Sequence, residues 1–229
     1  MNRLLLTPIF LIAMIMETNA QIQITFDVSF TEPQAHYADV KMEVSNINND
    51  YLEVKMPVWT PGSYLVREFA RNVENFAASD ENGITLSSIK TNKNTWKIHS
   101  PKSKKVKINY QVYAFEISVR SSFVDMSHAF LSPTSIFMYV QGQLKQPATI
   151  TVHPIKAWDK ISTGLEPLAG KTNSFYAPSF DILFDSPMEI GTQDIFEFTA
   201  AGVKHEVAMY GGGNYDKERL KSDMTKIVE

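Results

Sequence analysis

Apolar and polar residues alternate with a period of two along several segments of this chain, and this pattern constrains the fold more than any other feature. From 22 to 30 every second residue is apolar, and Gln, Thr, Asp and Ser lie between them. Successive side chains of a strand point to opposite faces, so the pattern predicts a strand with one buried face. Eight further runs have this alternation or a β-type composition: 40–44, 52–56, 95–99, 106–112, 135–140, 148–153, 195–200 and 203–210. Strands at this density predict an all-β fold, an antiparallel β-sandwich.

The end of the chain has a helical pattern instead. In 215–229, Leu220, Met224 and Ile227 recur at intervals of three to four residues, with charged residues between them. The pattern reaches the last residue without a stop signal, and an amphipathic helix must bury its apolar stripe. We therefore expect this helix to begin a further domain that the chain does not contain.

The first twenty residues resemble an export signal. Arg3 gives a positive start, 4–16 is almost wholly apolar, and Ala20 ends a short run of small residues that suits a signal peptidase. The apolar run is shorter than the roughly 20 residues that a transmembrane helix needs. We expect cleavage before Gln21 and a periplasmic or secreted protein.

Composition and pattern together divide the chain into three parts: a signal peptide (1–20), a β-rich N-terminal domain (21–210) and a glycine hinge with the start of the next domain (211–229). The chain has no cysteine, which excludes disulfides and a thiol nucleophile. Its 22 basic and 25 acidic residues give a net charge of −3 without a long block of either sign. This balance does not favour a nucleic-acid or an anionic membrane surface.

Two short motifs have parts of catalytic signatures. His205-Glu206 begins the zinc-protease motif H-E-x-x-H, but Met209 stands where the second histidine is needed, and the alternation around it predicts a strand. The run 125–128, Asp-Met-Ser-His, contains an acid, a hydroxyl and an imidazole. Neither a nucleophile elbow nor an oxyanion hole accompanies it, so a polar loop with local hydrogen bonds is the better interpretation.

The most unusual segment is 57–73, which follows a predicted strand. Pro61-Gly62 predicts a turn, and Tyr64, Arg67 and Glu68 follow it within six residues. Aromatic and arginine side chains on a loop between rigid strands are typical of binding sites. The same mixture also fixes a long loop by salt bridges and aromatic packing, and the sequence leaves both interpretations open.

The same residues resemble a known family. The runs 57–64 (PVWTPGSY) and 67–73 (REFARNV) are similar to the N-terminal domain of the glycyl-aminopeptidase family of zinc metallopeptidases, whose members contain a PDZ-like domain. Four later segments are similar to that family in the right order: 93–96, 110–115 with 119–120, 184–191 and 213–216. One departure is 130–135 (FLSPTS), where the family usually has an aromatic residue followed by Asn-Gly-Thr-Ser.

The resemblance implies an exported enzyme with three parts: a β-rich front domain, an α-helical catalytic domain and a PDZ-like domain. This chain would hold the front domain and the entry helix of the catalytic domain. Zinc would belong to the full-length parent, with no cofactor in this chain, and the chain alone would be inactive. The parent would remove small N-terminal residues, Gly or Ala, from peptides.

A front domain can close the substrate cleft of an aminopeptidase, which must recognise a free ammonium group. We expect the loop with Tyr64, Arg67 and Glu68, together with Asp125, to face the catalytic domain and the peptide substrate. Glu68 is the candidate for binding the ammonium group, and Arg67 for orienting Glu68 or the peptide backbone. No catalytic or metal-binding residue is expected in this chain.

Two other functions stay open. The chain could be a stand-alone β-sandwich module that binds peptide or glycan through exposed aromatic residues such as Trp59, Trp96 or Trp158. It could also be an independent hydrolase, although its motifs supply no complete set of catalytic groups.

Overall fold

The structure is a computed structural model that describes residues 21–63, 65–101 and 103–229. The predicted export signal and Tyr64 lie outside the described residues. In chain order the elements are β1 (Gln23–Ser29), β2 (Tyr37–Ser45), β3 (Tyr51–Lys55), β4 (Val73–Asp80), β5 (Thr85–Leu86), β6 (Ser88–Asn92), β7 (Thr95–His99), β8 (Lys105–Tyr113), β9 (Phe123–Val124), β10 (Ala129–Leu131), β11 (Tyr139–Val140), β12 (Ala148–His153), β13 (Lys160–Thr163), β14 (Glu166–Pro167), β15 (Ser174–Ala177), α1 (Phe180–Phe184), β16 (Met188–Gly191), β17 (Asp194–Ala200), β18 (Val203–Met209) and α2 (Lys217–Val228).

A sheet of eight strands forms the backbone of the fold, in the order β14-β15-β12-β1-β2-β8-β4-β5. The alternating residues of β1, β2 and β8 bury one face of this sheet, as the sequence predicts. Its strand pairs are antiparallel except for β1 and β12, which are parallel. The all-β fold is therefore confirmed, with one parallel pair that the alternation alone does not reveal.

Two four-stranded sheets, β11-β3-β7-β6 and β13-β16-β10-β9, share one hydrophobic core with the large sheet. Aromatic side chains join the layers. The rings of Phe26 and Phe137 lie 4.9 Å apart, and those of Phe76 and Trp96 are stacked at 5.2 Å. Burial of such large rings supplies much of the stabilising free energy of a domain.

The predicted strand at 135–140 is wrong over most of its length. A 3-10 turn occupies Pro133–Ser135, and only the last two residues of the run pair as β11. The segment crosses the core, where Tyr110 fixes it: the Tyr110 hydroxyl donates to the Ile136 carbonyl at 2.8 Å and accepts from the Met138 amide at 3.2 Å. Nearly every residue here is buried on all sides, and the β-type composition reports that burial rather than a strand.

The C-terminal part contains the hairpin of β17 and β18 and then helix α2. His205 lies on β18, as predicted, and its ring stacks on Phe198 at 4.9 Å. Gly211, Gly212 and Gly213 follow with positive φ values of 87°, 67° and 133°, which glycine adopts without strain. Asp216 caps α2 by accepting from the amides of the first helical turn.

Helix α2 confirms the helical pattern, whereas the five-residue α1 is not foreseen by the sequence. Neither helix in the described part of the chain is long and apolar enough to cross a membrane. The domain boundary at 210 and the role of the glycines as a hinge stay predictions.

Candidate functional site

The loop between β3 and β4 is closed by its own backbone. Pro61 and Gly62, with a Gly62 φ of 73°, form a turn in which the Ser63 amide donates to the Thr60 carbonyl at 3.2 Å. The Arg67 amide donates to the Val58 carbonyl at 2.7 Å and thereby joins the two ends of the loop.

The loop then enters a 3-10 turn, Phe69–Asn72, whose Phe69 and Ala70 are buried in the core. This anchor holds the two preceding residues, Arg67 and Glu68, at the rim of an open cavity. The charged side chains therefore lie at the end of the loop that is anchored in the core.

We call this cavity the arginine pocket. It has a volume of about 480 Å³. The charged residues in its lining are Arg67, Glu68, Arg71, Glu116 and Arg120. The structure thus brings two of the predicted site residues, Arg67 and Glu68, into one pocket, and adds Arg71 from the end of the same loop and Arg120 from another part of the chain.

Glu68 and Arg67 differ in their contacts. Glu68 forms an exposed salt bridge with Lys93, and this hydrogen bond lowers the pKa of Glu68. Arg67 donates from Nη2 to the Ser63 hydroxyl at 3.3 Å. Its Nε is buried and has no hydrogen-bond partner among the described residues. Arg67 therefore lines the pocket and also has one buried donor, Nε, whose hydrogen-bonding capacity is unused among the described residues.

Asp125 lies elsewhere, in the turn between β9 and β10, and is not part of the pocket lining. Its carboxylate accepts from the Ser127 amide at 2.7 Å, from the Ser127 hydroxyl and from the His128 amide at 3.2 Å. Burial raises the pKa of Asp125, but these hydrogen bonds outweigh it and the pKa is lowered. The local hydrogen bonds predicted for 125–128 are present.

Next to Asp125 lies a pair that the sequence analysis did not find, His128 and Glu189. The pairing of Ala129 with Ile190, between β10 and β16, brings them together. His128 Nε2 is 3.8 Å from Glu189 Oε1, which is buried without a hydrogen-bond partner among the described residues. Burial raises the pKa of Glu189 to about 7. Burial also lowers the pKa of His128, with Asp125 opposing the shift. We call Asp125, His128 and Glu189 the Glu189 cluster.

Stacked rings connect the two sites. Phe115, in the pocket lining, stacks on Phe123 at 5.2 Å, and Phe123 lies 5.1 Å from the His128 ring. His128 stacks in turn on Tyr210 at 3.6 Å. Tyr210 directly precedes the three glycines, so the row of rings runs from the arginine pocket to the start of the C-terminal segment.

Comparison with family models identifies the chain. Residues 25–192 match the model described as the peptidase M61 N-terminal domain. The chain belongs to the peptidase M61 family. The resemblance found in the sequence is confirmed, and the matched region contains both the arginine pocket and the Glu189 cluster. A search of curated proteins found no match.

One solved structure supports the fold of this M61 domain. An aminopeptidase N family protein from Idiomarina loihiensis superposes with a TM-score of 0.83 at 32% identity, over 90% of this chain and 35% of that one. The chain thus spans about a third of the length of this relative. An M1 zinc metallopeptidase from Deinococcus radiodurans gives a TM-score of 0.45 at 9% identity, over 89% of this chain and 51% of that one.

The His, Asp and Glu side chains of the described residues bear on whether the chain can hold a metal ion. In the described part of the M61 domain, no three His, Cys, Asp or Glu side chains lie close enough together to hold a metal ion. The described residues therefore do not fit a zinc site.

The tryptophans named for the binding-module alternative are not all exposed. Trp96 and Trp158 are 6% and 2% exposed and belong to the core, so the expectation of exposed rings is wrong for both. Trp158 packs edge-on against Phe30 at 5.0 Å. Trp59 is 55% exposed and borders an apolar cavity of about 410 Å³ with Pro57 and Phe184.

Proposed function

We propose that this M61 domain is the non-catalytic front domain of an exported zinc aminopeptidase that removes small N-terminal residues from peptides. It forms one wall of the substrate cleft and supports the catalytic domain. The observation that carries the proposal is the placement of Arg67 and Glu68 in one open pocket of an M61 domain. The 35% coverage of the Idiomarina loihiensis relative supports a longer protein.

The surface beside the pocket supports a role as a wall. Leu65, Val66, Phe115, Ile117 and Val119 are exposed by 65%, 79%, 51%, 85% and 80%. Val66 and Phe115 also line the pocket. Exposed apolar residues gathered on neighbouring loops favour contact with another folded unit. The catalytic domain is the partner that we assign to this surface.

The chemistry of Glu68 supports its proposed contact with a substrate ammonium group. Its carboxylate already binds the ammonium group of Lys93 at the surface. A peptide α-ammonium presents the same donors and can replace Lys93. Arg67 is the neighbouring group that orients the peptide. Asp125, which lies beside His128 in the row of rings, and Tyr64, on the loop, are the other residues proposed to face the substrate.

A peptidase assay on the complete gene product tests this proposal. We expect Zn²⁺-dependent release of glycine or alanine from short peptides, and loss of release after chelation. Glu68→Gln should raise KM roughly tenfold, the change expected when one charge-assisted hydrogen bond to the substrate is lost. Glu166→Gln, which removes an exposed carboxylate from β14, is the matched control.

Two results would contradict the proposal. A complete gene product that ends at Glu229 and binds peptide or glycan would establish the binding-module alternative, with Trp59 and its apolar cavity as the first surface to examine. An active enzyme in which Glu68→Gln changes neither KM nor kcat would remove Glu68 from the substrate site.

A further inference from the structure

The arginine pocket has a surplus of positive charge. Arg67, Arg71 and Arg120 line it against Glu68 and Glu116. Glu68 is already paired with Lys93, which is not one of the lining residues. Three guanidinium groups therefore face one carboxylate, that of Glu116, whose charge is not neutralised by a salt bridge among the described residues.

Arg67 supplies the most specific feature of the pocket. Its Nη2 donates to Ser63 at 3.3 Å, which fixes the guanidinium plane. Its Nε is buried and lacks a partner among the described residues. Leaving a buried donor without an acceptor is costly, and a guanidinium presents parallel N–H groups that match the two oxygens of a carboxylate. Because Nε itself is shielded from solvent, a ligand in the pocket has to contact this guanidinium through its terminal nitrogens.

Two serines of the pocket lining have their hydroxyl groups engaged within the protein. Ser122 and Ser135 share a hydrogen bond of 2.7 Å, the Ser122 hydroxyl accepts from the Ser132 amide at 2.9 Å, and the Ser135 hydroxyl donates to the Ser132 carbonyl at 2.9 Å. Their hydrogen bonds are internal to the protein. The exposed rings and methyl groups of Phe115 and Val66 offer apolar contact to the aliphatic part of a ligand.

We infer that the arginine pocket binds the C-terminal carboxylate of a short peptide, with Arg67 as the principal contact and Arg120 at the rim. A volume of about 480 Å³ accommodates a peptide of a few small residues. This inference rests on the proposed function, which makes peptides the substrate. It adds that the substrates are short peptides with a free carboxyl end rather than long chains.

Calorimetric titration of the protein with triglycine and with triglycine amide tests the inference. The two peptides differ only in the carboxylate, and we expect triglycine to bind at least tenfold more tightly. Arg67→Gln should reduce the affinity for triglycine to that for the amide. Arg219→Gln, on the exposed face of α2, should leave the tenfold difference unchanged.

Arg120→Gln is a second variant that tests the pocket even if Arg67→Gln does not fold. Arg120 is exposed, so its replacement should leave the unfolding midpoint in urea unchanged while it weakens triglycine binding several-fold. Equal affinity for the acid and the amide, or full binding by both arginine variants, would overturn the inference. Tighter Arg67-dependent binding of inorganic phosphate than of triglycine would do so too, since the pocket would then be a phosphate site.

The titration is independent of peptidase activity, because it measures binding to this chain without a chemical step. Failure to distinguish acid from amide would leave the proposed peptidase function intact. An inactive gene product that still prefers the acid would remove that function and keep the carboxylate site.

Discussion

The arginine pocket and the Glu189 cluster have the same defect and resolve it differently. Each contains a buried polar atom without a partner among the described residues, Arg67 Nε in the first and Glu189 Oε1 in the second. The cavity that Arg67 lines is open and has room for an anionic ligand beside the guanidinium group. The cluster is closed, with the Glu189 side chain 16% exposed and the Tyr210 ring stacked on His128.

Because arginine stays charged at any ordinary pH, the first site can gain a partner only by binding one. A carboxyl group can instead take up a proton, and burial raises the pKa of Glu189 to about 7. An unpaired buried group therefore accompanies a binding site where the neighbouring surface is open. Where the neighbouring surface is closed, it accompanies a titrating site.

The largest effect on stability is expected from Glu189→Gln, which replaces the titrating carboxyl group by a neutral amide. Between pH 4.5 and about 7 the folded state binds more protons at Glu189 than the unfolded state does. The contribution of Glu189 to the free energy of unfolding should therefore fall by about 3 kcal/mol as pH rises through this range, and stay level above it. Glu189→Gln should lack this fall and be more stable than wild type by about that amount at pH 8.

Urea unfolding at pH 4.5, 6 and 8 measures the difference. Burial lowers the pKa of His128, so its contribution to the free energy of unfolding falls as pH falls, which is opposite to the contribution of Glu189. It is present in both proteins, so it largely cancels when the two curves are subtracted. Glu166→Gln controls for the change in net charge. Parallel pH profiles of wild type and Glu189→Gln would show that the cluster is not closed and would break the comparison.

A smaller effect is expected from Gly191→Ala, which tests the packing around the cluster. A Cβ at Gly191 would lie 2.9 Å from His128 Cβ, and neither atom is at the end of a flexible side chain. We expect a loss of about 2 kcal/mol in the free energy of unfolding, as is typical of overpacked cores.

Gly164→Ala is the matched control for that substitution. Its new Cβ would meet the Ser186 hydroxyl at 3.7 Å, which is an ordinary contact. Urea unfolding should place Gly164→Ala near wild type. If the two alanine variants were equally stable, the space beside His128 would be larger than the structure shows.

The sequence predicts the parts of the fold in which one face is wet. Strands β1, β2 and β8 alternate clearly, and β7 and β12 agree with the predicted runs at both ends. It does not predict the parallel pairing of β1 with β12, because alternation carries no information on direction. It also fails where all faces are buried, since the residues after Pro133 lose their period and resemble a strand only in composition.

The same limit applies to the two sites. Arg67 and Glu68 are adjacent in an unusual loop, so local sequence is enough to find them. His128 and Glu189 are far apart in the chain and meet only through the pairing of β10 with β16. The motif 184–191 contains Glu189, but no local pattern indicates that its carboxyl group is buried beside an imidazole.

The smallest effect is expected from Lys93→Met, which separates Glu68 from its surface partner. The hydrogen bond and charge of Lys93 lower the pKa of Glu68, so the variant should raise that pKa towards its usual value. A carbon-detected NMR titration of the Glu68 carboxyl group measures the change, with Lys171→Met in an exposed turn as the control. The unfolding midpoint in urea should not move, because both side chains of the pair are mostly exposed, by 86% and 57%. An unchanged Glu68 pKa would mean that Lys93 does not occupy the position proposed for the substrate ammonium. A raised pKa with unchanged stability would show that Lys93 contacts Glu68 and that the fold does not need this contact, so Glu68 is available to another ammonium group, as an open site requires and the closed cluster at Glu189 does not.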